Sequence, residues 1–244
     1  MSTNHGTPPR AATQGARARA RQEVTAAIKD EARRQLAADG PAKLSLRAVA
    51  RELGMVSSAL YRYFASRDEL LTALIIDAYD SLGVAAERAE EAFREAGEDV
   101  TPARRWVVVC QAVRAWAQEH RHEYALIYGS PVPGYTAPSS TVQPASRVGL
   151  LLIRIVREAY EDKGVALPPL PDGLRPEGER IAADIAPDLP PAVMVALVAA
   201  WAQLYGLIGF ELFGQFNRVV DDDQREPFFA QAAAQLAHGV GLVK

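Results

Sequence analysis

An all-α fold is what this chain of 244 residues predicts, and three observations carry the prediction. Apolar residues make up 49% of the sequence but aromatics only 7%, so the apolar content is mostly Ala, Val and Leu. That balance suits packed helices, because strands draw on β-branched and aromatic residues. Apolar side chains then recur every three or four residues over most of the chain. Finally, two stretches rich in Pro, Gly and Ser, "GSPVPGYTAPSSTVQP" (129–144) and "GVALPPLPDGLRP" (164–176), separate the helical patterns, and no segment makes a convincing strand.

Residues 1–20 have no large apolar side chain after Met1 and are expected to form a disordered basic arm. Arg10, Arg17 and Arg19 would then be free to reach a phosphate backbone or minor groove. From Arg21 the pattern turns helical through Val24, Ile28, Ala32 and Leu36, and "DGP" at 39–41 stops it. Ser45 is the N-cap of a second helix, Leu46 to Leu53, which Gly54 ends. A third short helix runs from about Ser57 to Tyr63. Ser66 caps a long fourth helix toward Phe93, with Asp68 and Glu69 in the first turn, where the dipole favours acids. Gly83 is its expected point of give. Further helices are expected at about 102–128, 146–163, 177–186, 191–216 and 227–240.

Leu46 to Ala65 reads as a helix-turn-helix. Ala50 is small where the two helices must touch, Gly54 accepts the positive φ of the turn, and Val49, Leu53 and Leu60 can pack the inner faces. The first 67 residues carry twelve Lys/Arg against five Asp/Glu, while the rest carry fifteen against twenty-five. A basic front on an acidic body points to a polyanion partner at the N-terminal end. In a recognition helix, Ser57, Ser58 and Ala59 keep the leading end narrow, and Tyr61 and Tyr63 offer hydroxyls to phosphates and rings to thymine methyls. Arg67 can meet a phosphate beside helix N-terminal amides, Arg47, near the start of the second helix, can reach a base, and Ser45 and Ala59 are counted among the DNA-binding residues with them. Phe64 is read as core. For Tyr61 the alternative is also a core position.

The stretches "LSLRAVARELGM", "SSALYRYF" and "SRDEL" closely resemble the TetR (tetracycline-repressor-like) family of one-component bacterial regulators, over about residues 22–75. The resemblance implies base or phosphate contacts at Arg47, Ser57, Ser58, Tyr61, Arg62 and Tyr63, with Arg67 where the family usually has lysine. More loosely, "RAWAQEHRHEYALIYGSPVPGY" resembles the WHG type of C-terminal domain through Trp116, His120 and Gly129. That implies a ligand-sensing and dimerising body. The expected organisation is therefore an arm (1–20), a DNA-binding domain (21–67) and a helical ligand-binding and dimerisation domain (68–244).

"AVMVALVAAWAQLYGLIGF" (192–210) has Gln203 as its only strongly polar side chain. Its length would admit a membrane span. Its Ala and Gly content, and acids rather than basic anchors at its flanks, favour a helix buried by its own domain and by a second subunit. A homodimer through 191–216 and 227–240 is expected, on a double-stranded operator. Trp116, Tyr124, Tyr128, Trp201 and Tyr205 are candidate lining residues for an apolar or aromatic effector.

No cofactor or metal site is read. His120 and His122 lie two apart on a helix and face different ways, and neither a phosphate loop nor a nucleophile elbow is present, so an enzyme is not expected. The lone Cys110 is read as core, which with the absence of an apolar leader fits a cytoplasmic protein. A constitutive DNA binder without an inducer pocket, or an activator, stays open beside the ligand-released repressor.

Overall fold

The computed structural model describes residues 10–97, 99–162 and 165–242, with side chains from residue 15 onward. Among these residues there are ten α-helices: α1 (Arg10–Asp39), α2 (Leu46–Glu52), α3 (Ser57–Leu60), α4 (Arg67–Ala96), α5 (Pro102–Glu119), α6 (Arg121–Tyr128), α7 (Val142–Glu161), α8 (Arg175–Ile185), α9 (Pro191–Leu212) and α10 (Arg225–Gly239). No strand forms among the described residues; Val165 and Leu242 share an isolated antiparallel bridge. The chain divides into two compact units. The head comprises the described residues up to Leu74 together with Pro131–Thr136, and the body comprises Ile75–Ser130 and the chain from Ala137 onward.

Three helix ends in the head have local causes. Ser45 caps α2 by accepting a hydrogen bond from the Ala48 amide. Gly54 takes φ +64°, which an L side chain resists. Ser66 accepts from the Glu69 amide while the Glu69 carboxylate reaches back to the Ala65 amide at 2.6 Å, so two orphan donors at the start of α4 are satisfied reciprocally. Ile28, Ala32 and Leu36 of α1 are buried together with Val49, Ala50, Leu60, Phe64 and Leu70. Ala50 is fully buried, as a helix crossing requires. The expected irregular arm is corrected in part, since α1 already begins at Arg10. The Ala, Arg and Gln of this stretch are strong helix formers and extend the helix without needing a core. Residues 1–9 of the expected arm lie outside the described residues.

The body packs its core around α5. Trp106, Val109, Cys110, Val113 and Ala117 are all buried there, joined by buried faces of α7, α9 and α10. The single helix expected over 102–128 is broken at His120, which takes φ −115° and ψ 50° between α5 and α6. Helix α9 is long and apolar enough to cross a membrane, yet Val193, Met194, Leu197, Leu204 and Ile208 are buried in the body core. Its Glu211 is buried too, gripped by Arg114 at 2.6 and 2.7 Å and by Gln118 at 2.8 Å. These buried positions and the paired Glu211 make α9 a core helix of the body.

Helix α4 runs unbroken through Gly83, which corrects its role as a point of give. A Cβ there would sit 2.7 to 3.0 Å from Nε, Cδ and Cβ of Arg147. The glycine makes room for Arg147 to cross α4 and bond Asp80 at 2.8 Å and Glu87 at 2.6 Å.

Candidate functional site

The outer surface of the head gathers the residues expected from sequence. Arg47, Ser57, Ser58, Tyr61 and Arg62 are exposed, and Ala59 and Tyr63 are half-buried. Tyr61 keeps 45% of its surface, which settles its alternative core position against packing. Leu60 and Phe64 turn inward instead. Helix α3 is shorter than expected because Arg62 and Tyr63 donate to carbonyls three residues back, tightening the last turn. Arg21 of α1 holds this corner, donating to the Arg62 carbonyl at 3.4 Å with its guanidinium 5.4 Å from the Tyr63 ring centre. Ser45 spends its hydroxyl on the α2 cap. Arg67 donates to the Pro41 carbonyl at 2.7 Å and pairs with Asp68, so it ties α4 to the turn after α1 and only part of its fork faces outward. The loop segment 131–136 also belongs to the head, where the Tyr135 and Thr72 hydroxyls share a 2.8 Å hydrogen bond.

In the body, the Trp-His-Gly trio has separable structural reasons. Trp116 donates to the Ser81 hydroxyl at 2.9 Å, and its ring meets His120 at 5.0 Å. Gly129 ends α6 so close to the preceding turn that a Cβ would lie 2.3 Å from the Ala125 carbonyl oxygen. Of the five expected lining aromatics, Tyr124, Tyr128, Tyr205 and Trp201 come together. Tyr128 stacks on Tyr205 at 3.9 Å, Tyr124 donates to the Tyr205 carbonyl at 2.8 Å, and Trp201 meets Tyr205 edge-on. Burial raises the hydroxyl pKa of all three tyrosines. They form a packed aromatic cluster, and Trp201 alone of the five lines the cleft between α7 and α9 described below.

No local pattern of residues announces the charged groups inside the body. Glu90 is 1% exposed and meets Arg105 at 2.6 Å and Arg154 at 3.1 Å, while Arg105 also reaches Glu158. Burial opposes the charge on Arg105, but the bonds to Glu158 and Glu90 outweigh it and its pKa is raised. The partners lie on α4, α5 and α7, far apart in sequence. Among the described residues no cluster of three or more His, Cys, Asp or Glu is placed to hold a metal.

A small head built on a helix-turn-helix, with a basic and aromatic outer face and a separate helical body, defines a DNA-binding transcription regulator. The family comparisons agree for both units. Residues 28–74 match the family model described as bacterial regulatory proteins, tetR family, and residues 106–236 match the one described as tetracyclin repressor-like, C-terminal domain. The chain is 37% identical over 230 residues to the HTH-type transcriptional regulator Rv1816 of Mycobacterium tuberculosis, covering 91% of this chain and 95% of that one. The regulator Mb1846 of Mycobacterium bovis matches to the same extent. The crystal structure of the putative regulatory protein SCO4313 superposes with a TM-score of 0.73 at 31% identity, over 90% of this chain and 98% of that chain. This protein belongs to the TetR family of transcriptional regulators, and it is not an enzyme.

Proposed function

We propose that the protein is a ligand-responsive repressor that binds a palindromic operator as a homodimer and leaves it when a small apolar or aromatic molecule binds the body. The observation that carries the proposal is the outward cluster of Arg47, Ser57, Ser58, Tyr61 and Arg62 on a head whose inner side is closed by Leu60 and Phe64. Serines at the leading end of α3 leave the backbone free to approach base edges, Arg62 and Arg47 supply forks for guanine, and Tyr61 and Tyr63 supply phosphate contacts. Ala59 adds an apolar contact. Arg67 and Ser45 sit at helix starts where a phosphate is welcome, although each already makes an internal bond.

Dimerisation is supported by the outer face of α9 and α10. Phe210 is 55% exposed there, beside Phe216 and Phe228, and the small residues Ala199 and Gly206 leave room for a second helix pair. Two heads in such a dimer must reach successive major grooves, about 34–36 Å apart or a multiple. Helix α4 spans roughly 45 Å at 1.5 Å per residue, long enough to matter for that spacing. A body shape with the wrong spacing would weaken operator binding, and a coupling of about 1–3 kcal/mol suffices for release. RolR, a protein of the same fold at 16% identity and TM-score 0.51, has been solved with resorcinol. Such a regulator would work in the cytoplasm, where the DNA is.

Footprinting on the DNA upstream of the protein's own gene tests the proposal. Protection of an inverted repeat by two chains is the expected result. A chain that sediments as a monomer at micromolar concentration, or protects nothing in dilute buffer, would overturn it.

A further inference from the structure

We infer that the cleft between α7 and α9 is the effector site and takes a compact, uncharged hydrocarbon-like molecule, an inference that rests on the ligand-responsive function proposed above. The cleft encloses about 280 Å³. Leu152, Met194 and Leu197 form its buried floor, Gly149 of α7 and Val198 of α9 its walls, and Trp201 stands 43% exposed beside it. Among the described residues no ionisable side chain lines it, and the Ser146 hydroxyl and Trp201 indole are its polar side-chain groups. Taking a charge into such a lining would leave that charge without a partner, so the site selects against ions.

The volume lies just below the roughly 300–1,000 Å³ of small-molecule sites, so the cleft suits a compact ligand. The space exists because α7 presents Ala145, Ser146 and Gly149 to it, and a Cβ on Gly149 would meet nothing within 4 Å.

Helix α7 is also placed to report occupancy. At about 100° per residue, Arg147 and Arg154 lie roughly 160° and 140° round the helix from Gly149. Those two arginines hold α4 through Asp80, Glu87 and Glu90. A molecule wedged between α7 and α9 thus acts on the helix whose far side grips α4.

The test titrates butylbenzene, and 4-butylbenzoate as its charged counterpart, into full-length wild type and Gly149→Leu. Leucine favours the helix and points into open space, so this variant is expected to fold while plugging the cleft. Butylbenzene should shift the tryptophan emission of the wild type to the blue and raise its melting temperature. Its affinity should exceed that of 4-butylbenzoate at least about tenfold and fall at least about tenfold in Gly149→Leu. Equal binding by the variant, preference for the carboxylate, or no binding by the wild type would overturn the site. Release of an upstream duplex by butylbenzene from wild type alone supports the effector role, and binding without release overturns it. Failure of the untreated protein to bind any duplex would count against the regulator proposed above, with the emission titration still deciding the cleft.

Discussion

The head turns its chemistry outward, while the body folds its chemistry in. In the head, Arg47, Tyr61 and Arg62 stand in solvent around a small apolar core, and removing one of them leaves that core intact. In the body, Glu90, Arg105 and Glu211 are buried and Tyr124 is 1% exposed. The same building block, a helix with one apolar face, serves both units. The contrast shows where mutations should separate binding from stability.

The sharpest separation is expected from Glu90→Ala. It leaves Arg105 buried without one of its two carboxylate partners, and should cost about 3–5 kcal/mol of stability by denaturant titration. A loss under about 1 kcal/mol would show that Glu158 alone satisfies Arg105 and that the contrast is wrong. Next come Arg62→Ala and Arg47→Ala, each expected to weaken operator binding by about 1–3 kcal/mol and relax base preference if the contact is bidentate. Their effect on folding stability should stay within about 0.5 kcal/mol, because both are exposed.

Two glycines of the body should respond in opposite directions. An alanine at Gly149 meets open space and should stabilise by about 0.4–1 kcal/mol. An alanine at Gly83 forces Arg147 off its bonds to Asp80 and Glu87 and should destabilise by about 1 kcal/mol or more. Combining Gly83→Ala with Arg147→Ala should remove that penalty, a coupling that a double-mutant cycle reads.

The smallest effect concerns alkaline pH. Burial first, then Tyr205, raises the Tyr128 hydroxyl above its ordinary 10.0, and burial raises Tyr124 and Tyr205 likewise. These groups stay neutral in the folded body while the unfolded chain ionises. The stability they hold below about pH 10 is therefore lost as pH rises toward their folded values. Melting curves between about pH 8 and 11 should fall less steeply for Tyr128→Phe than for the wild type. An unchanged slope would mean that the cluster admits water.

Most of the head was legible in the sequence because its determinants are local. Ser45, Gly54 and Ser66 act within four residues of their own position, and a cap or a left-handed turn needs no distant partner. The body was legible as helices but not as chemistry. Gly83 looked like a hinge because Arg147, the side chain it makes room for, lies 64 residues away. The break at His120 carries no proline or glycine to announce it. The expected lining aromatics share helical spacing with core residues, and spacing alone cannot say that Tyr128 would stack on Tyr205 while small residues on α7 opened a cleft elsewhere.

In the proposed regulator the exposed face of α2 and α3 is the surface that holds duplex DNA. The most direct measurement is affinity for an upstream duplex between about 50 and 200 mM salt, for wild type and Arg62→Ala. A steep linear fall of log affinity with log salt, with the variant weaker, is the predicted result. Affinity that is flat across that range, or identical in the variant, would contradict it.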